Sequence, residues 1–287
     1  MKFVFFGSPL FARIVLEELV GAGLKPAALV CNPDRPVGRK KILTAPDTKQ
    51  YALAQLPQTI ILQPENPADA LFLDELRNIQ ADIFIVAAYG KILKPTLLEI
   101  PVLGTVGVHP SFLPRLRGAS PIQTAILEGS PEIGVVLYAI DEGMDHGPVY
   151  SSSAPTPVDG KTFPQLLIEL AHIGGRLAVQ TLPDIENGSL QPTPQDHSQA
   201  TITKKFVTED GFIPYPDLKN AMQEKSEASL QIERKIRALG YEPGCFTISP
   251  DDKRIKLIAA KLVDGKLEIT QWQMDGMHKP SSLPFSF

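Results

Sequence analysis

Lys2–Phe6 is a nearly continuous apolar run that stops at Gly7, and runs of this kind recur through the first half of the chain. A short apolar run bounded by turn formers has no polar face, so it reads as a strand covered on both sides. Pro26–Cys31, Thr59–Leu62, Asp82–Ala88, Gly104–Val108 and Gly134–Ile140 read the same way, with Val149–Ser153 as an edge. Phe11–Val20 carries apolar residues at helical spacing and ends at Gly21-Ala22-Gly23; Asp47–Gln55 and Pro67–Ile79 also read as helices. This alternation predicts an α/β fold, a Rossmann-like parallel sheet with helices on both faces. Phe163–Leu182 is expected to be the long helix that closes the domain.

The chain then changes character. Asp184–Lys204 is polar and rich in Pro, Gln, Ser and Thr, as an extended linker would be. Beyond it, Ser226–Leu239 has helical spacing with Ser226 placed to cap it. Cys245–Ile248, Ile255–Ala260 and Leu267–Gln273 are short strand-like runs between Gly- and Asp-containing turns, which suggests a small β-barrel. The expected division is a first domain at 1–184, a linker at 185–204 and a second domain at 205–287.

Composition narrows the function classes. The 287 residues carry a net charge of −4, and residues 198–287 alone hold 13 Lys+Arg against 12 Asp+Glu, a balance of +1. Neither half is a basic nucleic-acid module, so any RNA contact must rest on a local patch. Arg35, Arg39, Lys40 and Lys41, within one short loop containing Pro36 and Gly38, make the densest patch. The cysteines, Cys31 and Cys245, lie far apart in apolar surroundings and read as reduced core thiols. The five histidines offer no ligand spacing, so no metal is expected. Gly7-Ser8-Pro9 follows the first strand where a dinucleotide enzyme would carry Gly-x-Gly-x-x-Gly, so NAD and FAD are not expected. The amino terminus is too short for a signal h-region, and no apolar run approaches the roughly 18 residues of a spanning helix, so a cytoplasmic enzyme is expected; a monomer is expected as well.

Two stretches can carry chemistry. Val108-His109-Pro110-Ser111-Phe112-Leu113-Pro114-Arg115-Leu116-Arg117-Gly118 places a histidine at the end of one apolar run. Asp141-Glu142-Gly143-Met144-Asp145-His146-Gly147-Pro148 places a carboxylate in a glycine-flanked loop just past another. Loops leaving the carboxyl ends of neighbouring strands in an open α/β sheet meet in one crevice, which would set His109 beside Asp145. Imidazole and carboxylate together can move a proton at neutral pH. The alternatives are a structural His109 in a Pro-bounded turn and an Asp145 that caps the turn at Gly147.

These residues also carry a family resemblance. His109-Pro110-Ser111-Phe112-Leu113-Pro114, Arg117-Gly118-Ala119-Ser120-Pro121-Ile122-Gln123 and Asp145-His146-Gly147-Pro148 resemble, in order and spacing, the centre of the formyltransferases that use 10-formyltetrahydrofolate. Within that family the chain is most similar to those acting on the amino group of initiator methionyl-tRNA. The resemblance implies formyl transfer, with His109 and Asp145 catalytic and an OB-like carboxyl domain. It also implies a catalytic Asn at 107, whose amide polarises the formyl oxygen, but this chain has Gly107. Three readings of Gly107 follow: a water in the vacated space donates instead, the chain is an impaired variant, or it binds without turnover. On the first two, Gly107→Asn should raise turnover at least about tenfold, the low side of one oxyanion donor's worth.

Ala87-Ala88-Tyr89-Gly90-Lys91-Ile92-Leu93 resembles the family segment that lines the folate pocket, with Tyr89 and Gly90 at the strand end and Ile92 and Leu93 against the ring. Ser111, Leu113 and Pro114 belong to the same implied pocket, and Ile140, Asp141 and Gly143 to its opposite wall. Pro33-Asp34-Arg35-Pro36-Val37-Gly38-Arg39 resembles the loop that engages the tRNA acceptor end, so Arg35, Arg39, Lys40 and Lys41 are the expected tRNA contacts and Arg39→Ala should weaken tRNA use while sparing folate binding. Ile232–Leu239 resembles a family segment whose positive face could track the acceptor stem, although a plain amphipathic helix fits equally. Other acceptors for the same core are an amino-sugar nucleotide or a small amine, and a folate- or RNA-binding protein without turnover is a further class.

Overall fold

Phe3–Phe6, every residue of it buried, forms an inner strand (β1) of a seven-stranded sheet. The other strands are β2 (Ala28–Val30), β3 (Ile60–Leu62), β4 (Ile83–Ala87), β5 (Thr105–His109), β6 (Val136–Ala139) and β7 (Val149–Ser152). This computed structural model describes residues 1–287 apart from Arg39, His278, Pro284, Ser286 and Phe287. The strand order is β7-β6-β5-β4-β1-β2-β3. β3, β2, β1, β4 and β5 are mutually parallel, with Val4 level with both Ala28 and Phe84. The order reverses between β1 and β4, and that switch opens a crevice at the strands' carboxyl ends.

The sheet departs from the all-parallel expectation at one edge. β6 runs antiparallel to β5, Tyr138 opposite Gly107 and Val136 opposite His109, and β7 runs antiparallel to β6. The carboxyl end of β6 therefore lies beside the amino end of β5. The loop after β6 has to fold back across the sheet before its residues can reach His109.

Helices sit where the apolar spacing puts them. Leu10–Gly21 buries Phe11, Ala12, Val15, Leu16 and Leu19 on one stripe. Ala70–Ile79 buries Phe72, Leu73 and Leu76, and its N-cap Asp69 accepts the Leu71 amide at 2.9 Å. Phe6, Phe84, Tyr89, Leu93 and Leu97 pack into the same core cluster. The last helix of this series, Phe163–Glu186, runs four residues past the expected end.

The chain divides into two compact units, Met1–Ala119 with Gly134–Thr156 and Leu167–Ile202, and Ser120–Ile133 with Pro157–Leu166 and Thr203–Phe287. Within the second unit, Cys245–Ile248, Arg254–Val263 and Lys266–Met274 form a three-stranded antiparallel sheet. Helices Tyr215–Gln223 and Glu227–Leu239 pack on it, the latter capped by Ser226, whose hydroxyl accepts the Ser229 amide at 3.2 Å. Two isolated bridges, Phe212 with Phe246 and Trp272 with Ser281, extend the sheet. Three strands with helices on them are an antiparallel α+β layer. Closure into a barrel is not seen among the described residues. No helix among them is long and apolar enough to cross a membrane.

Candidate active site

His109 closes β5 and is buried, with its ring fixed by one hydrogen bond. Nε2 lies 3.0 Å from the Leu116 carbonyl, which can only accept, so the proton is assigned to Nε2. In the neutral ring Nδ1 then carries a lone pair, and it faces Asp145 Oδ2 at 3.6 Å. A proton arriving at Nδ1 would create an imidazolium held between a carbonyl and a carboxylate, the arrangement of a general base with its counter-charge.

Asp145 is reached by the fold-back that the antiparallel β6 imposes. The loop turns at Asp145 itself, with a φ of 49°, in the left-handed region that Asp enters more readily than most residues with a side chain. Oδ2 accepts the Gly118 amide at 2.7 Å and Oδ1 accepts the Tyr138 hydroxyl at 2.6 Å. Gly147 lies so close to β6 that an added Cβ would stand 1.9 Å from the Ala139 carbonyl oxygen. Gln195 ties the loop down, donating Nε2 to the Asp145 and Gly147 carbonyls at 3.0 and 2.6 Å. Arg117 in turn donates to Gln195 Oε1 at 2.6 Å, and its Nη2 lies 2.8 Å from His197 Nδ1. His146 stacks flat on His197, with ring centroids 4.1 Å apart, and pairs with Asp141 at 2.7 Å.

The expectation for Gly107 is overturned in one respect. Its space holds a side chain, not water. A Cβ on Gly107 would lie 2.3 Å from Cε1, 2.7 Å from Cζ and 2.9 Å from the hydroxyl of Tyr138. Tyr138 sits directly opposite Gly107 on β6, and its ring crosses β5 to reach Asp145. Gly107→Asn would therefore collide with a buried phenol, and the expected gain in turnover does not follow. Burial first, then the charge of Asp145, push the Tyr138 phenol well above its ordinary range, so it stays protonated.

The expected folate-pocket residues are placed as follows. Ala88 and Gly90, both at positive φ and both exposed, turn the chain out of β4. The Tyr89 ring packs edge-on against Phe6 in the core, so only its backbone faces the crevice, and its carbonyl accepts Asn32 Nδ2 at 3.2 Å. Leu93 is buried and Ile92 is 83% exposed, so the two part and do not form one wall. Ser111 is buried with its hydroxyl on the Arg115 carbonyl at 2.7 Å, where it shapes the loop carrying Leu113 and Pro114, both half-buried. Ile140 and Asp141 are half-buried, Gly143 is exposed, and Asp141 Oδ1 accepts the Gly143 amide at 2.9 Å.

The basic loop is a short hairpin, Arg35–Val37 paired with Ile42–Thr44. Arg35 pairs with Glu65, Lys40 and Lys41 are exposed, and Arg39 lies outside the described residues. Val37, Ile42 and Leu43 are exposed beside these cations. In the second unit, Arg237 of the amphipathic helix is buried against Glu233 at 2.6 Å and is not part of a positive surface. Among the described residues no group of three His, Cys, Asp or Glu side chains could hold a metal ion.

The sequence placed His109 beside Asp145, as the structure does, but did not single out Tyr138, Gln195 or His197, which surround the pair. A glycine inside a strand marks close approach of another group, and Gly107 carried that signal for Tyr138. Nothing local marked Gln195, in a segment read as a linker.

Comparison with known proteins gives the family and the fold. Residues 1–182 match the formyl transferase family. The chain belongs to that family. A methionyl-tRNA formyltransferase of Chloroflexus aggregans is 41% identical over 86% of this chain and 76% of its own length. One from Campylobacter curvus is 36% identical over 96% of this chain and 86% of its own. Among solved structures, the methionyl-tRNA formyltransferase of Clostridium thermocellum superposes with a TM-score of 0.61 at 16% identity, covering 96% of this chain and 98% of that one. The Helicobacter canadensis N-formyltransferase, solved with folinic acid and dTDP-3-aminofucose, gives 0.64 at 19% identity over 92% and 88%. At such identities the structures speak for the fold alone.

Proposed function

We infer that the protein transfers the formyl group of 10-formyltetrahydrofolate to the amino group of methionyl-tRNA. The observation that carries this is the match to relatives of that activity across 96% of the chain, which takes in both compact units. The bound folate supplies the formyl carbon. The residues present suit it: the turn at Ala88–Lys91, the loop Ile140–Gly143 and the segment Ser111–Pro114 are the stretches that would hold it, mainly through backbone groups and apolar contact. His109 Nδ1 takes the proton released when the amine attacks, and Asp145 balances the resulting charge. The same proton is then available to the departing folate nitrogen. Arg35, Lys40 and Lys41, with Arg39, would neutralise phosphates of the acceptor end. The second unit's sheet is read as part of an OB-like fold that helps carry the tRNA. In this reading the enzyme is a cytoplasmic monomer.

The test is transfer of labelled formyl from 10-formyltetrahydrofolate to charged initiator tRNA, run beside a nucleotide-linked amino sugar. Label on methionyl-tRNA is expected. Label on the sugar alone, or on neither, overturns the reading.

A further inference from the structure

Formyl transfer puts negative charge on the carbonyl oxygen as the amine adds, and a site that stabilises it needs a donor beside the base. In the His109–Asp145 pair one partner is the base and the other a carboxylate that can only accept. The Leu116 carbonyl is likewise an acceptor, and the Gly118 amide is committed to Asp145 at 2.7 Å. Tyr138 is the side chain against this pair that carries an O–H. Its ring stands edge-on to His109 with centroids 6.3 Å apart, and its oxygen lies 2.6 Å from Asp145 Oδ1. It fills the space that a side chain at 107 would occupy.

Resting on the functional reading above, we propose that Tyr138 is a catalytic residue whose hydroxyl donates the hydrogen bond to the formyl oxygen, reaching across the side-chain-free Gly107 from the neighbouring strand. In the resting site the O–H points at Asp145. Turning the hydroxyl proton about the Cζ–Oη bond redirects it without moving a heavy atom. The balance of the step is then complete. The amine nitrogen bonds to the formyl carbon, its proton goes to His109 Nδ1, the oxygen's charge is met by the Tyr138 O–H, and the bond to the folate nitrogen breaks as that nitrogen receives the proton from His109. The phenol stays protonated throughout, in keeping with the burial that holds it neutral. Glycine at 107 and tyrosine at 138 are thus one device built from two strands.

Three variants and two readouts test this. Tyr138→Phe should lower kcat for methionyl-tRNA by about 10²–10³, the usual worth of one oxyanion donor, with KM for the folate unchanged. Gly107→Asn alone should also lose activity, because its side chain competes with the Tyr138 ring for one space and displaces the phenol. In Gly107→Asn/Tyr138→Leu the space is cleared, and kcat should exceed that of Tyr138→Leu by at least about tenfold. The second readout needs no acceptor: isotope-edited infrared spectra of a bound, stable 10-formyl folate analogue with a labelled formyl carbon. The carbonyl stretch should lie lower in the unaltered protein than in Tyr138→Phe. Equal stretches, or a double variant no better than Tyr138→Leu, would overturn the donor role and leave Tyr138 as a residue that only positions Asp145. An unaltered protein that shows the infrared shift but fails to formylate methionyl-tRNA would refute the acceptor and spare the donor. Failure to bind the analogue would refute both.

Discussion

His109 is held at Nε2 by a carbonyl and faces a carboxylate at Nδ1, two contacts that suit it to the proton transfer proposed above. Asp145 has three: the Gly118 amide, the Tyr138 hydroxyl and the imidazole. Asp145→Asn keeps the size but removes the charge that balances an imidazolium, and an amide cannot accept with both ends. It is expected to lower kcat by about 10²–10⁴ with folate affinity retained; an unchanged kcat would remove Asp145 from the chemistry. Tyr138 yields a pH prediction. Its folded-state phenol titrates above the ordinary value of about 10, so as pH rises past about 10 the unfolded chain gives up this proton first. The stability it contributes is present below that point and drains away as pH climbs toward the folded value. Urea midpoints measured at neutral and at strongly alkaline pH should fall less in Tyr138→Phe than in the unaltered protein. An equal fall would place the phenol in an ordinary environment. At this scale the sequence showed imidazole and carboxylate but not the phenol, because Tyr138 is 31 positions from Gly107 along the chain and opposite it only through strand register.

Most elements were legible because their apolar spacing is undisturbed. Asp47–Gln55 and the cap at Ser226 lie where the sequence puts them, β1 differs by a residue at one end, and β4 and β5 by a residue at each end. The direction of β6 was not legible, since an apolar run says that a strand is buried and not which way it runs. That direction matters, for it makes the loop after β6 double back to deliver Asp145. Gly147 is what permits the fold-back. Gly147→Ala would press a methyl into the Ala139 carbonyl and should destabilise by about 1–3 kcal/mol while displacing Asp145. Thermal unfolding and kcat should both fall; a full kcat with a lowered Tm would detach the loop's packing from catalysis. The hairpin Arg35–Thr44 was read only as a loop, because three-residue strands leave little periodicity. Lys40→Ala/Lys41→Ala should raise KM for tRNA, leave KM for folate alone, and flatten the salt dependence by about 0.7–0.9 log units per lost phosphate contact. An unchanged salt slope would show that these lysines do not meet phosphate.

At the scale of the whole molecule the sequence pointed to an α/β domain at 1–184, a linker and a small β-barrel at 205–287; the structure shows the α/β sheet and a small antiparallel sheet, and divides the chain less simply. Ser120–Ile133 and Pro157–Leu166 join the carboxyl-terminal unit, while residues 185–202 stay with the first. The second of these bears on the candidate site. Gln195 and His197, from a segment that looked like a tether, hold the loop that carries Asp145 through Asp145, Gly147 and Arg117. Such long-range service leaves no local mark, because a Gln in a Pro-rich polar stretch reads as solvated until its partners are placed. Family membership rests on residues 1–182 and on relatives matched along nearly the full chain, and the mechanism proposed above rests on the pair at 109 and 145. Formyl transfer to methionyl-tRNA, measured for the unaltered protein and for His109→Gln at equal folate saturation, tests the two together. The account predicts rapid transfer by the first and a loss of about 10²–10⁴ in kcat for the second. Equal rates, or no product on methionyl-tRNA from the unaltered protein, would contradict it.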